Sequence, residues 1–281
     1  MIDIHRHAGG PDALVWTEPP CIYFDTWALT KFAKEAAYQT KFLQLFKDRG
    51  TLLFSLMNVG EIGLYKRPNW PDMRAFLEKV GPYWFPLTID PLAVIERQEA
   101  GNNPPDAYAS VEFLQDPQFA ALLLAGDLTL VHVVDLTRGP AGDDLRNVTA
   151  ARIDEVRASL DRHRQAYLKD LKELNAKWPV VKFDPDKPMR QIYNAFIRLC
   201  VTDTFKLTDH HCRDLFHSIT AVGCGQMVLL DGHWAEQARK VLHLLEMPAD
   251  FVRIYDPSQV FHFLSDLAAH PASRGLHRPP I

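Results

Sequence analysis

The feature that most constrains this chain is a recurring pair of segments. A short apolar run rich in β-branched or aromatic residues is followed at once by a stretch of helical character. The pair occurs twice near the start, as CIYF (21–24) before TWALTKFAKEAAYQTKFLQLFKDRG (26–50), and as TLLFS (51–55) before LMNVGEIGLYK (56–66). It returns twice near the end, as MVLLD (227–231) before GHWAEQARKVLHLLEM, and as VRIYD (252–256) before PSQVFHFLSDLAAH. Strands that alternate with helices build a parallel sheet covered on both faces. Such α/β sheets bind ligands at the carboxyl ends of their strands. Asp25 follows the first run directly and so lies at such an end.

The helical stretches can be read further. Leu29, Phe32, Ala36, Phe42 and Phe46 fall near helical spacing, which predicts one helix stopped by Gly50. Residues 56–66 predict a short helix closed by Pro68, PYWFPLTID (82–90) a strand, and residues 91–99 a helix. GNNPP (101–105) breaks the chain, residues 106–135 predict helices plus a short apolar strand, LTLVHVV (128–134), and RGPAGDD (138–144) predicts a loop. Over 151–178, Ile153, Val156, Leu160, His163, Tyr167, Leu171, Leu174 and Trp178 recur at steps of three and four, the signature of one long amphipathic helix. That stripe predicts packing within the chain. The other face carries Arg152, Arg157, Arg162, Arg164, Lys169, Lys172 and Lys177 among interspersed acids, a solvated face or a ridge for RNA. CRDLFHSITAVGCGQ (212–226) predicts a helix leading into MVLLD. The expected organisation is an irregular lead over 1–20, an α/β core over 21–100 and 206–268, a largely helical insertion over 101–205, and a flexible tail over 269–281.

With 281 residues and 47% hydrophobic content, the chain can bury a core without disulfides or structural metal. The net charge of −4 argues against a surface that coats nucleic acid wholesale, yet it suits a site of carboxylates that works through a cation. The four cysteines form no CxxC pair, and His210, His211, Cys212 and His217 match no zinc spacing. The opening residues have no apolar stretch of signal-peptide length, and no run approaches the roughly 18 apolar residues of a membrane span. A cytoplasmic protein with no membrane association is expected.

Four acids stand out by position: Asp25 after the first strand, Glu61 on the helix after the second, Asp214 near the start of a late helix, and Asp231 after the strand that follows. Each also has a plain reading. Asp25 can cap a helix, Glu61 can be a surface residue, Asp214 can complement a helix dipole, and Asp231-Gly232 can be a turn. TDHHCRD offers Asp209 as well as Asp214 as the third acid, with Asp209 placed to cap the helix. His217 lies three residues after Asp214, on the same helix face, where it can orient that carboxylate or meet a phosphate.

The stretches YFDTWAL, SLMNVGEIGL and DLFHSITAVGCGQMVLLDGHW, in this order, resemble the PIN-domain family over roughly residues 20–65 and 205–256. The resemblance implies a PIN-like α/β core. It also implies metal-dependent endoribonuclease activity on single-stranded RNA, with Mg²⁺ or Mn²⁺ held by Asp25, Glu61 and Asp214 and assisted by Asp231. Thr26 follows Asp25 where the family has a hydroxyl residue, and Ser55 precedes Glu61. Trp27 departs from the small or polar residue common at its position, and roughly residues 100–205 have no family counterpart. Thr26, His217 and Asp209 are the candidates for substrate contact or for support behind the metal ligands. The family includes toxins held by an antitoxin protein, so the resemblance leaves an antitoxin partner and a homo-oligomer open. Two alternatives stand beside this reading: a catalytically inactive PIN-like RNA-binding or protein-interaction module, and a structure-specific DNA nuclease.

Overall fold

A computed structural model describes residues 1–7, 10–64, 70–88, 90–102, 106–110, 121–122, 125, 129–137, 140–167, 170–202 and 207–276, and of these the side chains of 3–13, 56, 63–64, 136–149 and 152 are left aside. Its centre is a five-stranded, all-parallel sheet in the order β5-β4-β3-β6-β7. The strands are β3 (Cys21–Phe24), β4 (Thr51–Ser55), β5 (Trp84–Leu87), β6 (Met227–Leu229) and β7 (Arg253–Tyr255). From β3 the chain steps outward through β4 to β5, and later returns to the other side of β3 with β6 and β7. The strand order therefore reverses between β3 and β6, the place where open parallel sheets form a crevice.

Strand pleating sends alternate side chains to opposite faces, and both faces are buried. Ile22, Phe24, Leu52, Phe54, Met227 and Leu229 enter one core. There the rings of Phe24, Phe32, Phe42 and Phe263 pack with centroids 4.9–6.2 Å apart. Tyr23, Leu53, Phe85, Leu87 and Val228 enter the other core, beside Met189, Ile192, Phe196 and Trp234.

The expected single helix over 26–50 is two, Thr26–Lys34 and Ala36–Phe46, broken at an extended Glu35. In one straight helix Phe42 would sit well off the stripe of Leu29 and Phe32. The break returns it to the core, and Gln39 Nε2 donates to the freed carbonyls of Phe32 (3.1 Å) and Ala33 (3.2 Å).

Other expectations are corrected. The N-terminal lead is not irregular, because β1 (Ile2–His7) and β2 (Gly10–Val15) form an antiparallel hairpin; residues 8–9 lie outside the described residues. Residues 130–134 of the expected strand LTLVHVV belong to the helix Leu130–Thr137, with Leu130, Val131, Val133 and Val134 all buried. A continuous apolar run buried on all sides has no period that separates strand from helix. The loop expected over 138–144 is helical from Pro140, and 138–139 lie outside the described residues. The long helix over 151–178 is instead Pro140–Tyr167 followed by Leu171–Lys177, the second capped by Asp170. Leu160 and Leu174 are buried, but Leu171 is 62% exposed and leaves the stripe. Of the basic face, Arg162, Lys172 and Lys177 are exposed, while two arginines are tied to the protein. Arg157 pairs with Asp154 (2.9 Å) and Asp209, and Arg164 donates to the Cys200 carbonyl (2.7 Å); Lys169 lies outside the described residues.

The helix Pro188–Thr202 packs against the helices Asp209–Cys224, Pro140–Tyr167, Gly232–Leu244 and Pro91–Glu99. This part of the 101–205 segment is core. The tail is not loose in its first part: Ser273 is buried, and Arg274 stacks on Tyr83 (3.6 Å to the centroid) and pairs with buried Glu18 (3.1 Å). Residues 277–281 lie outside the described residues. Among the described residues no helix is long and apolar enough to cross a membrane.

Candidate carboxylate site

β3 delivers Asp25 to the crevice. Its amide donates to Leu229 O of β6 (3.0 Å), so the acid sits where the two strands part. The backbone is extended there, and the carboxylate accepts the Thr26 amide at 2.5 Å as the N-cap of the following helix. Asp25 is thus a helix N-cap placed at the crevice.

β4 ends at Ser55. Asn58 Oδ1 accepts from the Ser55 amide (3.0 Å) and hydroxyl (2.9 Å), while Asn58 Nδ2 donates to Phe24 O (3.1 Å). This turn ties the ends of β3 and β4 together and starts the helix Leu56–Leu64, which carries Glu61. Glu61 is buried and accepts a hydrogen bond from the Thr26 hydroxyl.

The third side comes from the helix Asp209–Cys224. Its N-cap is Thr208, in a capping box with His211, and not Asp209. Asp209 is exposed and pairs with Arg157, so it does not join the other acids. Asp214, one turn inward, is buried and does. Trp234 links it to the fourth acid: its Nε1 donates to Asp214 Oδ2 (3.2 Å) and its amide to Asp231 Oδ1 (2.9 Å). Asp231 caps the helix Gly232–Leu244 through that amide bond.

His217 occupies the middle. It is 3% exposed, its Nδ1 is hydrogen-bonded to the Tyr23 hydroxyl, and its Nε2 lies 3.7 Å from Glu61 Oε2. Its partner among the acids is thus Glu61 and not Asp214; Asp214 has the exposed His210 at 3.4 Å instead.

The electrostatics report the same neighbourhood. Burial pushes the Asp25 carboxyl up to about 6, against the charge of His217, with Glu61 and Asp231 adding to the rise. Burial pushes Asp214 up to about 8, helped by the charges of Asp25, Asp231 and Glu61 and opposed by His217. Burial acts on Glu61 in the same direction. There it is overcome by the charge and contact of His217, the Thr26 hydroxyl and the charge of Arg213, which hold Glu61 down at about 2. Burial alone would lower His217, but Glu61, Asp25 and Asp214 raise it. One carboxylate is held ionised while two others resist ionisation, the pattern expected when like charges share a dry site.

Asp25, Thr26, Glu61, Asp214, His217 and Asp231 are thus brought together, and Asp209 is not. Tyr23, Asn58, Arg213 and Trp234 also belong here and escaped the reading of the sequence. Asn58, at three residues after Ser55, carried a turn signal that was legible. A buried tyrosine inside an apolar strand carried none.

The donor chemistry, four carboxylates whose repulsion a cation would relieve, suits a hard divalent ion. The buried His217 Nε2 also lacks a hydrogen-bond partner among the described residues. In this arrangement no three His, Cys, Asp or Glu side chains among the described residues close around a common point as ion ligands. All four cysteines are free. No protein-family model, curated protein or solved structure matches the chain.

Proposed function

We propose that the chain is a PIN-like, metal-dependent endoribonuclease that hydrolyses phosphodiester bonds of single-stranded RNA. The observation that carries the reading is the arrival of Asp25, Glu61, Asp214 and Asp231, from four separate segments, at the reversal point of a parallel sheet. Glu61 and Asp214 are buried and Asp25 and Asp231 half-buried beside them, an arrangement whose like-charge repulsion a cation would relieve.

Asp25, Glu61 and Asp214 are the residues to hold Mg²⁺ or Mn²⁺. Bound there, such ions would supply an activated water and a counter-charge for the leaving oxygen. The chain's own residues prepare the site. Thr26 fixes one oxygen of Glu61, Trp234 fixes one oxygen of Asp214, and Asp231 adds negative charge while anchoring Trp234. The place of His217 against Glu61 favours a second reading, an inactive PIN-like module that binds RNA or protein.

Incubation with labelled single-stranded RNA separates the two. The nuclease reading expects cleavage with Mn²⁺ or Mg²⁺ that stops with EDTA. RNA binding with no cleavage under any of these ions supports the inactive module. Cleavage of structured DNA with RNA left intact would move the activity to DNA.

A further inference from the structure

We propose that Arg213 and His217 form the anion-binding side of the carboxylate site and receive the non-bridging oxygens of the phosphodiester substrate. The inference rests on the phosphodiester reading of the site and names the groups that touch the phosphate.

On the helix Asp209–Cys224, residues His210, Arg213, Asp214 and His217 recur at steps of three and four and so share one face. Three of the four have contacts that place this face over the crevice: His210 on Asp214 (3.4 Å), His217 against Glu61 (3.7 Å), and Asp214 under Trp234 (3.2 Å). Arg213 stands at the edge of this face, and its charge reaches Glu61.

Each basic side chain has a buried nitrogen with no hydrogen-bond partner among the described residues. His217 is almost fully buried, and its Nε2 has no hydrogen-bond partner among the described residues. With the Tyr23 hydroxyl on Nδ1, Nε2 carries a hydrogen both in the protonated ring and in the neutral tautomer that accepts from Tyr23. That hydrogen points toward the acids. Arg213 Nε is likewise buried and unpartnered, and among the described residues no carboxylate forms an ion pair with Arg213. The neighbouring arginines differ: Arg157 is tied to Asp154 and Asp209, and Arg164 to the Cys200 carbonyl.

A buried donor without an acceptor is costly, and native proteins keep few of them. The planar guanidinium suits a phosphate, which it can grip through two parallel hydrogen bonds. A phosphodiester entering among four acids meets repulsion. Donors from Arg213 and His217 offset it at the phosphate itself and turn the strand's backbone toward Asp25 and Glu61.

The test measures binding of a fluorescein-labelled single-stranded RNA oligonucleotide to the full chain in Ca²⁺, over a series of KCl concentrations. Cleavage by the unaltered protein in Mn²⁺ is measured in parallel. Arg213→Gln should weaken binding on the order of tenfold or more. It should also flatten the slope of log affinity against log salt by about 0.7, the effect of one phosphate contact on a single strand. Arg213→Lys should keep the slope at reduced affinity. His217→Asn should also weaken binding. If the unaltered protein cleaves RNA while Arg213→Gln binds with its affinity and salt slope, the inference fails and the nuclease reading stands. An Arg213→Lys slope about 0.7 flatter than that of the unaltered protein also overturns the inference, and decides the matter if the Gln variant does not fold. If the unaltered protein neither binds nor cleaves RNA, both fall together.

Discussion

The hydroxyl of Tyr23 is bound to Nδ1 of His217, 194 residues away in sequence, so the central strand of the sheet holds the imidazole that faces Glu61. Both residues are buried. Tyr23→Phe keeps the ring and removes the partner. A buried polar group left unsatisfied costs about 1–3 kcal/mol. Denaturant unfolding should show a loss of that size, with His217→Gln failing to add fully to it. Additive losses would show that the two residues do not act as a pair.

The acids make stability depend on pH in a direction that can be worked out. Asp25 and Asp214 have folded values of about 6 and about 8 against an ordinary 3.8, so the folded chain holds their protons more tightly than the unfolded chain. Their contribution is complete below pH about 4 and is lost as pH rises through those values. His217, raised by its acidic neighbours, acts in the same sense, with a contribution complete below its ordinary 6.5 and lost as pH rises through the raised value. Glu61, held at about 2 against 4.5, contributes above 4.5 and loses that contribution as pH falls toward 2. The EDTA-treated protein should therefore melt at lower temperature at pH about 8.5 than at about 5.5. Mn²⁺ should raise the melting temperature more at the higher pH. Equal melting temperatures at both, with no response to Mn²⁺, would contradict the electrostatic account.

The C-terminal segment is a clasp. Arg274 donates to Glu18 and to the carbonyl of Gly50 (2.8 Å), and the Gly275 amide donates to the other oxygen of Glu18 (2.5 Å). Glu18 is 1% exposed, so Arg274→Ala strands a buried charge. Removing one partner of such a pair costs about 3–5 kcal/mol. The double variant Glu18→Gln, Arg274→Ala should recover part of the loss. A single-variant loss within about 0.5 kcal/mol would mean that the segment is as loose as its composition suggests.

Leu160 and Leu171 separate packing from pattern. Both fall on the helical stripe, yet Leu160 is 2% exposed and Leu171 62%. Leu160→Ala should cost about 2–5 kcal/mol, and Leu171→Ala at most about 0.5 kcal/mol. Comparable losses at the two positions, measured by denaturant unfolding, would contradict the break between the helices Pro140–Tyr167 and Leu171–Lys177.

These contrasts show what the sequence could carry. The strands β3, β4, β6 and β7, and the order of the acids, were legible because apolar runs bounded by turn and cap residues are a local signal. The break at Glu35 was not, because its reason is the packing of Phe42 beside Phe32, across the turn. Residues 130–134 of the helix Leu130–Thr137 read as part of a strand because a run of buried β-branched residues suits either state. The choice of Asp214 over Asp209 depended on which side of the helix faces the crevice, a property of tertiary placement. Arg213 and Trp234 have no periodic signal at all. They matter because of what lies opposite them.

The central claim is that Asp25 serves chemistry beyond capping its helix. The direct measurement is the rate of cleavage of a labelled single-stranded RNA in Mn²⁺ by the unaltered protein and by Asp25→Asn, with the melting temperature of each recorded. Asn is as good an N-cap as Asp and keeps the shape, but it removes the charge a metal ion needs. The account predicts an intact fold and cleavage reduced to background in the variant. Full activity in Asp25→Asn would reduce Asp25 to a cap and contradict the account.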